Sequence, residues 1–131
     1  MIVTTDIANI LYKDCQAFGI EVYQSGNIPD EHKELPSERV IIRTKSQSPE
    51  TYWKKGFVEV NLCVPDVEGK ANLIRLQKLE RKAQELLDDV VGEYDESSYY
   101  YSIDSIGTEA DTALKCHYVN VRILFQVLNV N

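Results

Sequence analysis

Residues 69–91, GKANLIRLQKLERKAQELLDDVV, decide the fold. Leu76, Leu79, Ala83, Leu86 and Val90 recur at spacings of three and four, and Leu73 and Leu87 widen the stripe. At 3.6 residues per turn all seven fall on one side of a helix, a face broad enough to cover a β-sheet. Arg75, Lys78, Arg81, Lys82, Gln84 and Glu85 take the opposite side, as a solvated face requires. Apolar strand patterns lie before and after the segment, so this helix is expected to lie across a sheet. Gly92, just past the last apolar position, suits the residue that ends it.

Upstream, a first helix is expected from about Asp6 to Phe18, with Thr4, Thr5 or Asp6 able to cap it and Ile7, Ile10, Leu11, Cys15 and Phe18 along one face. Gly19 suits its end, and Ile20 to Tyr23 alternates like a short strand. The polar loop Gln24 to Glu38 holds Gly26, Asn27, Pro29 and Pro36 without periodicity; its length marks it as mobile or used for contact. Arg39 to Lys45 reads as a strand, broken by Ser46 to Pro49. Lys55 to Val64 is a longer strand: Val58, Val60, Leu62 and Val64 face one way, and Phe57, Glu59, Asn61 and Cys63 the other. Pro65 to Gly69 turns the chain into the central helix.

Beyond that helix, Glu93 to Ser98 is expected as an acidic loop, Tyr99 to Ile106 as a strand and Gly107 to Thr112 as a polar turn. The last strand, Ala113 to Val130, alternates at Val119, Val121, Ile123, Phe125 and Val127. Its other face starts polar at Asn120 and Arg122 and turns apolar at Leu124 and Leu128, with Gln126 between. A face that changes from wet to dry along one strand implies a cover, either the first helix or a neighbouring subunit. The element order is α-β-β-β-α-β-β. It predicts one α+β domain over residues 1–131, with an antiparallel or mixed sheet of four to five strands and two helices packed on one face.

Composition narrows the function classes. The chain's 131 residues bury a core without staples, and 44% apolar with 27% charged residues is globular. No apolar run is long enough to span a bilayer, and no basic segment precedes a hydrophobic one at the N-terminus. Neither secretion nor membrane insertion is expected. Cys15, Cys63 and Cys116 are odd in number and far apart, and read as buried or half-buried free thiols. Of the net charge of −7, the stretch Glu85 to Asp111 is the source, with nine acids and no base. Tight sequence-independent binding of nucleic acid needs the reverse, because its affinity comes from Lys and Arg displacing phosphate counterions.

Motifs for catalysis are missing. There is no phosphate-cradling glycine loop, no dinucleotide fingerprint, no H-E-x-x-H and no nucleophile elbow. Cys116 and His117 are adjacent in a strand and so point to opposite faces; His117 reads as an ordinary strand residue. No metal or cofactor site is expected. Asp88, Asp89, Glu93, Asp95 and Glu96 lie close in sequence but lack the spacing of a Ca²⁺ loop, and read as a solvated helix end and loop. Asp88 and Asp89 are unusual in a helix's last turn, where the macrodipole disfavours anions. Tyr52 and Trp53, next to Lys54 and Lys55, allow two readings: the tip of an arm that inserts into a partner, or a Trp packed over the sheet edge beside extended lysines.

A short N-terminal helix, the strand ending Val22-Tyr23, a proline-bearing loop, the apolar Val40-Ile41-Ile42, the alternating Val58 to Val64, an amphipathic helix and a long strand Val119 to Val127 follow one another over nearly the whole chain. This layout resembles the tail terminator, or tail-completion, proteins of tailed bacteriophages and prophages, a likeness of order and length without a signature motif. The resemblance implies a non-enzymatic α+β subunit that forms a homo-oligomeric ring, typically a hexamer, between tail-tube and head-connector proteins. It would be made in the bacterial host cytoplasm and end in the virion tail. DNA passing through the lumen would meet an acidic wall, to which the resemblance assigns Asp88, Asp89, Glu93, Asp95 and Glu96. Tyr52, Trp53, Leu124 and Leu128 become candidates for subunit or partner contact. Two other classes stand beside it. One is a different neck, head-tail connector or host adaptor module. The other is a small enzyme or ligand-binding domain with a pocket between helix and sheet using Tyr99, Tyr101, His117 or Cys116.

Overall fold

The computed structural model describes residues 2–29, 31–45 and 55–128. Helix α1 (Thr4–Asp14) runs into a 3-10 turn (Cys15–Phe18), then come β1 (Val22–Gln24), β2 (Arg39–Thr44), β3 (Lys55–Pro65), α2 (Leu73–Leu86), β4 (Val90–Tyr94), β5 (Ser97–Asp111) and β6 (Cys116–Val127). The six strands form one mixed sheet in the order β1-β2-β3-β6-β5-β4. Among the described residues, β1 and β2 pair parallel and the other neighbours pair antiparallel. The fold is therefore α+β as expected, with six strands where four to five were read.

Both helices lie on one face. The alternation of β3 sends Val58, Val60, Leu62 and Val64 into the main core, where they meet Val119, Val121, Ile123 and Phe125 of β6, Ile7 and Leu11 of α1, and Leu76, Leu79 and Ala83 of α2. Burying a branched aliphatic or aromatic side chain contributes roughly 1.5–3 kcal/mol, so these two facing stripes dominate the stability. Asp6 caps α1 from its third position: its Oδ2 accepts the Val3 amide at 3.0 Å and its Oδ1 the Tyr94 hydroxyl at 3.3 Å. Asn72 caps α2, its Oδ1 accepting the Arg75 amide at 3.2 Å.

Three expectations are corrected. First, the central helix stops at Leu86, and Val90 to Tyr94 is a strand paired with β5, so Gly92 sits opposite Tyr99 in a sheet. Asp88 and Asp89 break the helix by reaching β5. Asp88 Oδ1 accepts the Ile103 amide at 2.9 Å, and Asp89, at φ +58°, accepts the Tyr100 hydroxyl. Neither acid stands in a helical turn, which removes their conflict with the macrodipole. The supposed acidic loop shrinks to Asp95-Glu96, both at positive φ (+47° and +66°), the geometry of a two-residue type I′ hairpin. Second, residues 107–111 extend β5 instead of turning, and the turn falls at residues 112–115. Third, the loop after β1 is long because parallel neighbours need a crossover of about a dozen residues. Its residues Ile28 and Leu35 pack on the sheet's outer face against Ile41, Cys63 and Cys116.

Candidate interaction surfaces

Among the described residues, no helix lies on the outer face. Across its middle runs a polar band: Asn120 Nδ2 donates to Asn61 Oδ1 at 2.8 Å and to Glu59 Oε2 at 3.4 Å, and Lys45 Nζ lies 3.3 Å from Glu59 Oε1. Arg122 lies over the Phe57 ring at 4.2 Å and 3.5 Å from Asp104 Oδ2, beside the register shift in β5. The apolar end expected at Leu124 is present: Leu124 is half-buried and lies opposite Phe57 and Ser102. Leu128 follows β6 and is 55% exposed, its amide donating to the Ser98 carbonyl at 2.8 Å. Since α1 lies on the other face, it does not cover Leu124. Tyr52 and Trp53 fall outside the described residues.

The five acids line the free edge of the sheet. Asp88 and Asp89 stand before β4, Glu93 within it and Asp95-Glu96 at its far turn; all five are exposed. A five-residue strand spans ~17 Å, so they form a row and share no single centre. Among the described residues, no group of three or more His, Cys, Asp or Glu is placed to hold a metal ion.

A further apolar surface lies where the helical stripe was read as core. Leu73 and Ile74 are 71% and 72% exposed, and a shallow groove of about 350 Å³ separates them from Thr108 of β5. Periodicity assigned Leu73 to the sheet side, but the first turn of α2 overhangs the sheet. Ile74 was the available signal, an isoleucine one turn before Lys78 on the polar side.

The four residues considered for a pocket between helix and sheet do not converge. Tyr101 is fully buried, its ring 5.9 Å from Phe125, and its hydroxyl donates to Asp14 Oδ2 at 2.6 Å. Burial, reinforced by the Asp14 carboxylate, raises its pKa far above the tyrosine range. Tyr99 stacks 5.0 Å from Phe125. His117 is more than ordinary strand filling: its Nδ1 lies 2.7 Å from Asp66 Oδ1, tying β6 to the chain after β3. Cys116 belongs to the outer face with Cys63. All three cysteines are free and buried, and burial pushes Cys15 and Cys63 up to about 12 and Cys116 up to about 11. Thiols so poorly ionised are weak nucleophiles.

One cavity does carry polar groups. It measures about 230 Å³ and lies beneath the β1–β2 crossover, walled by Leu35, Ile41 and Leu114 and reached by Arg39, Arg43 and Asp111. No helix of the described residues is long and apolar enough to cross a membrane.

Comparison with known proteins leaves the fold as the common ground. No family model matches the chain, and no curated protein matches it. A solved structure whose name describes no function is similar over 100% of this chain and 99% of its own, with a TM-score of 0.61 at 10% identity.

Proposed function

We propose that the chain is a structural subunit of a phage or prophage tail, which assembles into a ring at the head-tail junction as tail terminators do. The observation that supports this reading best is the outer face. Phe57, Leu124 and Leu128 form an apolar end that no described helix roofs, whereas the other face packs against α1 and α2. Leu73 and Ile74 add a second exposed apolar surface. In this reading the acidic edge at β4 faces the lumen and repels passing phosphate, and no residue carries out chemistry. A head-to-tail contact between two different surfaces of one chain closes into a ring when its rotation permits.

Light scattering coupled to size exclusion tests this over a wide concentration range, with and without a phage tail-tube protein. A ring-sized mass, lost in Leu73→Ser/Ile74→Ser or Leu128→Ser variants that keep their circular dichroism, is the expected result. A strict monomer under every condition rejects the ring. A different neck or connector module is favoured instead if the chain binds head-connector protein as a monomer.

A further inference from the structure

We infer that the first turn of α2 in one copy of the chain docks on the outer face of β4 in the next copy. This rests on the ring reading and names the two surfaces that meet in it. Residues opposite one another in a sheet share a face, so Gln126, Tyr100 and Val91, in register across β6, β5 and β4, lie on the outer face with Leu124. Val91 is 69% exposed there. Leu128 adjoins the same hairpin through the bond of its amide to the Ser98 carbonyl. The apolar end of the outer face therefore reaches the edge strand. On the opposite face, Leu73 and Ile74 stand 71% and 72% exposed at the overhanging start of α2. Two apolar tips on opposite sides of one sheet cannot meet within a chain.

Charge decides which tip meets which. Residues 70–82 carry Lys70, Arg75, Lys78, Arg81 and Lys82 against the single acid Glu80, and of these bases Arg75 already pairs with Glu38 at 2.7 Å. Lys78 and Arg81 follow Ile74 at spacings of four and three, so they share its side of the helix, and both are exposed. Val91 is framed by acids instead. Glu93 shares its face by alternation, and Asp89 reaches that face by accepting the Tyr100 hydroxyl. Lys55, the base in the same register row, stands three strands away, roughly 14 Å. A two-fold contact, helix on helix or strand on strand, would set like charges together and leave the other tip open. A head-to-tail contact covers both tips and sets bases against acids. The spacings agree: one helical turn rises about 5.4 Å and two strand residues span ~7 Å, so Ile74 against Val91 brings Lys78 beside Asp89 or Glu93. The tips supply the affinity and the rim charges steer the approach, so exchanging a rim acid slows assembly without changing the mass of the ring. The free edge of β4 stays open to a lumen.

Two variants altered at exposed positions test the pairing. Leu73→Ser/Ile74→Ser removes the helix tip, and Val91→Lys removes the strand tip and adds a base. Each is first matched to the wild type by circular dichroism, with Ile74→Gln and Val91→Thr in reserve for a variant that does not fold. Mass is then read by light scattering at concentrations where the wild type assembles. Each variant alone is expected to be monomeric, its self-association weakened at least ~30-fold. Their equimolar mixture should give a species of twice the monomer mass and nothing larger, because one intact helix tip meets one intact strand tip. A mixture that stays monomeric while the wild type forms rings overturns this pairing and leaves the ring standing. So does either variant that still assembles alone. A mixed dimer beside a wild type that grows into open chains keeps the pairing and removes the ring. A wild type that stays monomeric at every concentration, with no dimer in the mixture, removes both.

Discussion

Gly92 offers the sharpest test of the architecture, because its neighbour across the sheet leaves no room for a side chain. A Cβ built at Gly92 would lie 2.5 Å from Tyr99 Cζ and closer still to the Tyr99 hydroxyl. The ring cannot swing clear cheaply, since Tyr99 is 8% exposed and stacked 5.0 Å from Phe125 and 6.2 Å from Tyr101. Overpacking of this kind costs roughly 1–3 kcal/mol. Against it, replacing glycine by alanine narrows the unfolded ensemble and gains ~0.4–1 kcal/mol. The clash wins, and Gly92→Ala is expected to destabilise by about 1–2 kcal/mol, seen in urea unfolding as a lower midpoint at unchanged m. The cause is separable by a double-mutant cycle. In a Tyr99→Leu background the obstructing atoms are gone, so Gly92→Ala should become neutral or stabilise by ~0.5 kcal/mol, a coupling of about 1 kcal/mol or more. A glycine ending a helix would show no such coupling. Equal costs in both backgrounds would refute the packing of β4 against β5.

Two further predictions concern ionisation and backbone strain. The three thiols titrate far above their unfolded value near 8.5. Folded pKa values are raised, so the stability held by the neutral thiols is complete below about pH 8.5. It is lost as pH rises towards 11–12, by up to ~1.4 kcal/mol per pH unit for each thiol. Urea midpoints should accordingly fall steeply above pH 9, and at pH 8 an aromatic disulfide reagent should label the native thiols at least ~100-fold more slowly than the denatured ones. A thiol labelled equally fast in both states would contradict its burial. Lys115 holds φ +52° in the turn between β5 and β6, and among the described residues its side chain makes an exposed contact of 3.8 Å with Glu34. Lys115→Gly relieves ~1 kcal/mol of left-handed strain and loses part of that to chain entropy, so thermal unfolding should show a gain of about 0.5 kcal/mol. A loss of stability would mean that the turn is not strained there.

What the sequence made legible follows from how local each signal is. The faces of β3 and β6 and the sheet-facing side of α2 were readable because alternation and 3.6-residue periodicity are local properties. Strand β4 was hidden for the same reason: Leu86, Leu87 and Val90 satisfy a helical stripe as well as a strand. The choice was made by Asp88 and Asp89 bonding to β5, a contact across more than ten residues of chain. The parallel pairing of β1 with β2 is equally non-local, although the crossover's length was a clue to it. The overhang of Leu73 and Ile74 was illegible because periodicity assigns a residue to a side of the helix without saying where the sheet beneath it ends.

The same distinction between local charge and distant bonding bears on the acidic edge. Five exposed acids in one row are equivalent in the sequence, yet Asp88 and Asp89 have structural work. Asp88 holds the Ile103 amide, and Asp89 holds the Tyr100 hydroxyl from a left-handed backbone position. Their charge accompanies a turn that joins α2 to β4, and it would be needed whatever passed beside the edge. Glu93 stands within β4 and Asp95 at its hairpin tip, and a negatively charged strand edge also resists pairing with the edge of another sheet. An acidic lumen would make a demand that structural carboxylates do not: Glu93→Lys combined with Asp95→Asn, which suits the left-handed backbone at φ +47°, should leave folding and ring mass unchanged while slowing DNA passage through assembled tails. If that exchange instead made the chain aggregate, edge protection would be the better account of the acids at β4.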